Sequence, residues 1–107
     1  MTKTTHADLV AACLVWLTLM KPTGLFYKSN TGSFAGEYNG RKRFVKFGTP
    51  GLADITGVLP GGRAIYVECK VGRDKQSDKQ RAFQASVERA GGLYVLARSI
   101  DDLESAI

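Results

Sequence analysis

The sequence has few of the residues that build metal fingers or disulfide frameworks. It holds two cysteines, Cys13 and Cys69, and one histidine in 107 residues. No CxxC spacing occurs and no histidine lies near either cysteine, which argues against a zinc site. Both cysteines fall in apolar segments and read as buried free thiols. The longest apolar run, from about Leu9 to Met20, falls short of the ~20 residues that a membrane helix needs. No small-residue cleavage site follows it, so a cytoplasmic protein is expected. Repeats and low-complexity tracts are absent, as are a recognition helix-turn-helix and a zinc finger. Acids are outnumbered by bases, 10 against 15, for a net charge of +5. A basic excess favours polyanionic partners.

What is present fits one α/β domain spanning residues 1–107. The apolar fraction of 44% is that of an ordinary globular chain, and the 12 glycines predict several tight turns. Residues 4–20 predict a helix that Thr4 or Thr5 caps and Lys21-Pro22 ends. Its apolar positions run nearly around the helix, so it needs cover on most sides. Strands are predicted at "GLFYKSN", "RKRFVKF", from about Asp54, and at "RAIYVECK", with "TGSFAGEYNG" read as a loop. A second helix is expected from Asp78 to about Ala90, opened by a Ser77–Gln80 capping box and stopped by Gly91-Gly92. "LYVLA" adds a last strand, and a short helix capped by Ser99 closes the chain. The predicted order is α-β-β-β-β-α-β-α.

The chemistry concentrates in "YVECK". Alternate residues of a strand share a face. Ile65, Val67 and Cys69 therefore point one way, while Tyr66, Glu68 and Lys70 point the other. If Pro60-Gly61-Gly62 closes a hairpin that pairs Leu59 with Arg63, Asp54 falls opposite Glu68. Directly opposed like charges destabilise a sheet, and a cation between them reverses that. Two carboxylates suit Mg²⁺, a hard ion that prefers oxygen and keeps several waters. Such an ion polarises a phosphoryl oxygen and activates a bound water. Lys70 then stands ready to stabilise charge on the phosphate, or to hold or deprotonate the nucleophile. The plainer reading of Glu68 and Lys70 alone is a surface ion pair; Asp54 at the opposed position weighs against it. Gln80 shares a helical face with Phe83, Val87 and Ala90 and should point toward the sheet, or else serve only the capping box.

The pattern "GLADITGVL…YVECK…SDKQRAF" resembles the VRR-NUC domain (virus-type replication–repair nuclease) of the PD-(D/E)xK nuclease superfamily. Its G-x-x-D motif corresponds to Gly51 through Asp54, its E-x-K motif to Glu68-Cys69-Lys70, and its S-x-x-Q motif to Ser77 through Gln80, followed by Phe83. "YKSNTG" at 27–32 is similar to the family's segment before the motif. The resemblance covers almost the whole chain. It implies a restriction-endonuclease-like mixed β-sheet core flanked by helices, of the αβββαβ type. It further implies a Mg²⁺ or Mn²⁺ ion held by Asp54, Glu68 and the backbone carbonyl of Cys69, with Lys70 as the catalytic lysine and Gln80 as an accessory residue. The family often adds a glutamate from its first helix. Here that region offers only His6 and Asp8: Asp8 takes its place, or the site has one carboxylate fewer. Glu37 is a further candidate, and His6 reads as a solvated residue or a cap.

Two basic clusters flank the motif: Arg41, Lys42, Arg43 and Lys46 before it, and Arg73, Lys75, Lys79 and Arg81 after it. Such flanks give salt-dependent, largely sequence-independent DNA binding, or else form a solvated charged surface. Tyr27, Phe34 and Tyr38 suit base stacking or packing, with packing the favoured reading. Together with the resemblance, these features predict a metal-dependent endonuclease of DNA from a bacterial or phage-infected cell. Small stand-alone members of the family resemble homodimeric Holliday-junction resolvases, and the broad apolar surface of the first helix fits a dimer, or else a central core helix wrapped by the sheet and the closing segment. The rival readings are a flap or other DNA nuclease, and a basic nucleic-acid-binding domain without catalysis.

Overall fold

The computed structural model describes residues 4–29, 32–38 and 40–107; the side chains of 32–38 and 43–47 lie outside that description. The chain opens with α1 (His6–Met20). Thr5 accepts from the Asp8 backbone N–H, and the Asp8 carboxylate accepts from the Thr5 N–H, which completes a capping box. The helix stops at Lys21, whose N–H still reaches the Leu17 carbonyl before Pro22 forbids another turn. One face of α1 buries Leu9, Val10, Cys13 and Leu17. Val15, Leu19 and Met20 stay exposed, Leu19 to 71%.

Six strands follow: β1 (Leu25–Lys28), β2 (Gly32–Tyr38), β3 (Arg41–Phe47), β4 (Ile55–Val58), β5 (Ala64–Cys69) and β6 (Leu93–Ala97). Helix α2 (Asp78–Arg89) lies between β5 and β6, and α3 (Ile100–Ala106) ends the chain. The main sheet has the order β1-β4-β5-β6. The first two pairings are antiparallel and β5–β6 is parallel, with α2 as the crossover. This is a mixed α/β fold with helices on both faces of a mixed sheet.

The sheet corrects the expected order by one strand. Residues 32–38, expected as loop on the strength of their glycines, form β2 and pair with β3 along its whole length in a separate two-stranded ribbon. Cross-strand pairing with "RKRFVKF" outweighs the low strand propensity of glycine. Gly40, at φ 73°, takes the left-handed conformation in the connection. The overlooked signal was the Asn39-Gly40 dipeptide between two runs, a common mark of a hairpin.

The expected register holds. Leu59 N–H donates to the Arg63 carbonyl and Gly62 N–H to the Leu59 carbonyl, so the Pro60-Gly61-Gly62 turn sets Ile55 opposite Val67 and Val58 opposite Ala64. The inward faces of β4 and β5 supply Ile55, Ile65, Val67 and Cys69 to the main core, where α1 adds Leu9, Cys13 and Leu17 and α3 adds Leu103. On the opposite face α2 lays Phe83 and Val87 over Tyr66 and Tyr94. Truncating a fully buried residue such as Leu17 or Ile65 to alanine would cost about 2–5 kcal/mol. This core holds the start of β4 beside the end of β5. Among the described residues, no helix is long and apolar enough to cross a membrane.

Candidate active site

Asp54 stands one residue before β4, where the chain bends out of the ladder. The ladder with β5 ends at Ile55–Val67, so Asp54 is not a paired strand residue facing Glu68. Its backbone carbonyl accepts from Ser29 N–H at 2.8 Å, which ties it to the end of β1. Its Oδ2 accepts from Cys69 N–H at 2.8 Å. The carboxylate thus satisfies a β5 amide at the point where backbone pairing has stopped.

Glu68 is the buried member of the site, only 3% exposed. Its Oε2 accepts from Gln80 Nε2 at 3.1 Å and pairs with Lys70 Nζ at 3.3 Å. Burial, and then the Asp54 carboxylate, push Glu68 above the ordinary carboxylate range, while Lys70 pulls the other way.

Gln80 points toward the sheet and completes the capping box at the same time. Its Oε1 accepts from Ser77 N–H at 2.9 Å in the capping box, while its Nε2 donates to Glu68. The amide has a donor and an acceptor end, and the helix start uses each for a different partner. Gly51 makes this placement possible. At φ 75° it packs against the Lys79 carbonyl, where a β-carbon would collide with the α2 backbone. The loop before Asp54 therefore lies directly on the first turn of α2.

His6 is the residue that sequence reasoning set aside. Its Nε2 lies 3.1 Å from Asp54 Oδ2, at the opening of α1. Asp8 instead spends its carboxylate on the helix cap. The signal available was weak: position 6 opens a helix, but 48 residues separate it from Asp54 in the chain. The side chain of Glu37 and those of Arg43 and Lys46 lie outside the described residues, as do Asn30 and Thr31 of the "YKSNTG" segment. Arg41, Lys42, Arg73, Lys75 and Lys79 are exposed.

Cys69 and Cys13 are buried free thiols with sulfurs 3.9 Å apart. The contact with Cys13, together with burial, pushes the Cys69 thiol up and keeps it protonated. The same contact shifts Cys13 downward, and both thiols are sealed from solvent in the core below the site.

The free oxygens of the site suit a hard cation. Asp54 Oδ2 and Glu68 Oε2 carry the hydrogen bonds described above, and among the described residues no partner engages Oδ1 or Oε1. No three or more His, Cys, Asp or Glu side chains converge as a ligand cluster among the described residues. Comparison with family models, curated proteins and solved structures returned no match.

Proposed function

We propose that this chain is a metal-dependent endonuclease of DNA with a restriction-endonuclease-like core, acting on branched molecules such as four-way junctions. The observation that carries this reading is the constellation at the upper ends of β4 and β5. There buried Glu68 meets Gln80 and Lys70 at 3.1 and 3.3 Å, and Asp54 accepts from the neighbouring Cys69 N–H at 2.8 Å. Net charge of +5 and exposed Arg41, Lys42, Arg73, Lys75 and Lys79 suit a polyanionic substrate.

Asp54 and Glu68, with the Cys69 carbonyl, would hold Mg²⁺ or Mn²⁺. The ion would supply Lewis-acid polarisation of the phosphate and an activated water. The residues of the chain do the rest. Glu68, squeezed out of water, holds Lys70 by charge, and Gln80 fixes the shared oxygen. Lys70 therefore presents its ammonium to the phosphate at little reorganisation cost, where it stabilises the negative charge that develops during attack. Cys69 N–H and His6 hold one oxygen of Asp54 and leave the other for the cation.

A second copy completes the reading. Val15, Leu19 and Met20 form an exposed apolar face on α1. A two-fold dimer would cover it and place two sites on one junction. A flap nuclease is the alternative, acting as a monomer at a single-site structure.

The deciding experiment incubates the protein with four-way junction, flap and linear duplex in Mg²⁺, Mn²⁺, Ca²⁺ or EDTA. Cleavage is expected with Mg²⁺ or Mn²⁺ only, with branched DNA preferred. Lys70→Ala should lose at least about a hundredfold in rate while still binding DNA. Full activity in EDTA, or near-parental cleavage by Lys70→Ala, would sink this mechanism.

A further inference from the structure

Among the described residues, the sheet face beside the site is only half covered. Helix α2 lies over the β5–β6 side, where Phe83 stacks edge-on against Tyr66 at 5.0 Å. On the same face of β1 and β4, Leu25, Tyr27 and Val58 remain 61%, 51% and 40% exposed. The alternation is fixed at both strands. Phe26 packs into the main core on the α1 side, so Leu25 and Tyr27 point away from it. Thr56 pairs with both Tyr27 and Tyr66, so a row runs Tyr27–Thr56–Tyr66–Tyr94 across the sheet.

This open surface is continuous with the site. Ser29 N–H holds the Asp54 carbonyl, and the Ser29 and Thr56 hydroxyls meet at 2.7 Å between Tyr27 and Asp54. One of the two hydroxyl protons is used in that bond, and the other remains to be donated. Tyr27 lies one strand across and two residues along from Asp54. Strand geometry puts their Cα atoms about 8 Å apart, so a strand of nucleic acid at Asp54 passes within reach of the Tyr27 ring.

We infer that this surface receives an unpaired nucleotide beside the scissile phosphate, its base stacked on Tyr27 and its phosphate touched by the Ser29–Thr56 hydroxyl pair. A tyrosine standing on a sheet can stack only on a base whose face is free, so a base inside an intact duplex is excluded. A DNA strand fits the surface better than a second copy of the chain. The surface is aromatic and hydroxylic rather than purely apolar, it runs into the carboxylates proposed to hold the cation, and exposed Lys79 stands on the first turn of α2 that packs against Gly51 in the loop before Asp54. The inference rests on the proposed nuclease reading and narrows it to substrates with an unpaired or opened nucleotide at the branch.

The test uses the full chain carrying Lys70→Ala in Ca²⁺, with flap DNA carrying 2-aminopurine at the branch nucleotide and a matched linear duplex. Binding should quench the 2-aminopurine emission. Tyr27→Leu should abolish the quench and weaken flap binding about tenfold or more, Tyr27→Phe should retain both, and duplex affinity should not change. Flap binding by Tyr27→Leu at parental strength, an equal loss on flap and duplex, or a change in sedimentation that marks Tyr27 as a contact between copies would each overturn the inference. Cleavage by the parent protein is scored separately. A parent that cuts with no dependence on Tyr27 leaves the nuclease standing and removes the base platform. A parent that never cuts but quenches through Tyr27 removes the nuclease and leaves a binding surface.

Discussion

His6 Nε2 lies 3.1 Å from Asp54 Oδ2, the same oxygen that accepts from Cys69 N–H at 2.8 Å. Two donors from different elements, the first turn of α1 and the end of β5, thus fix one carboxylate oxygen and with it the direction of the other. Partners of this kind orient metal-binding carboxylates, and their loss costs about 10–100-fold in metal affinity. His6→Ala should therefore weaken Mn²⁺ binding, measured by calorimetry, by at least about tenfold. His6→Gln, whose amide can still donate to Asp54, should recover part of it. Equal affinity in all three proteins would show that the imidazole does not position Asp54.

Gly51 is expected to be irreplaceable for reasons of both conformation and space. It adopts φ 75°, and a β-carbon there would strike the Lys79 carbonyl and the start of Gln80. Helix backbone cannot give way as a flexible side chain could. Gly51→Ala should destabilise the protein by at least about 1–3 kcal/mol and pull the first turn of α2 away from the sheet. Gln80 would then lose Glu68, so cleavage should fall by more than the folded fraction does. Gly61→Ala is the control: φ is also positive, but nothing lies within reach of its β-carbon. If both variants behave alike, crowding against α2 is not what makes Gly51 matter.

The raised Glu68 titration gives stability a defined pH dependence. Burial is the leading cause, with Asp54 second. The folded state therefore holds the proton more tightly than the unfolded chain, whose glutamate titrates at about 4.3. The resulting stabilisation is fully present below that value and is lost as pH rises through the higher, folded value. A cation held as proposed would compete with that proton. The rise in melting temperature produced by Mg²⁺ should accordingly be small near pH 4–5 and grow as pH rises, and Glu68→Gln should flatten the profile. A Mg²⁺ effect independent of pH across this window would place the cation away from Glu68.

The sequence revealed the site wherever local rules decide the geometry. The Pro60-Gly61-Gly62 turn set the register of β4 on β5, strand alternation put Glu68 and Lys70 on one face, and the capping box put Gln80 at the first turn of α2. Two features were not legible. The bend at Asp54 arises because its carboxylate takes the Cys69 amide in place of a ladder partner, an exchange that only the folded loop settles. The approach of His6 depends on how α1 crosses the sheet, which packing of Leu9, Cys13 and Leu17 decides and periodicity does not. The missed strand β2 is a third kind of case. Its glycines argue locally for loop, while its partner strand stabilises extended chain.

The outer face of α1 supplies the last prediction. Apolar cover was expected on most sides of this helix, and the fold provides it for Leu9, Val10, Cys13 and Leu17. Val15, Leu19 and Met20 are left facing water. Exposed apolar area costs about 25 cal/mol per Å², and removing it by pairing with a second copy yields an isologous interface. Sedimentation at micromolar concentration should show a dimer, and Leu19→Glu should convert it to monomer without a large loss of melting temperature, because residue 19 contributes little to the core. The two states should differ in product. The dimer should place paired nicks on opposite strands of a four-way junction, whereas the Leu19→Glu monomer should leave single nicks and retain activity on flaps. If the parent is monomeric throughout its active range, the paired-nick scheme fails and a single-site structure such as a flap becomes the substrate.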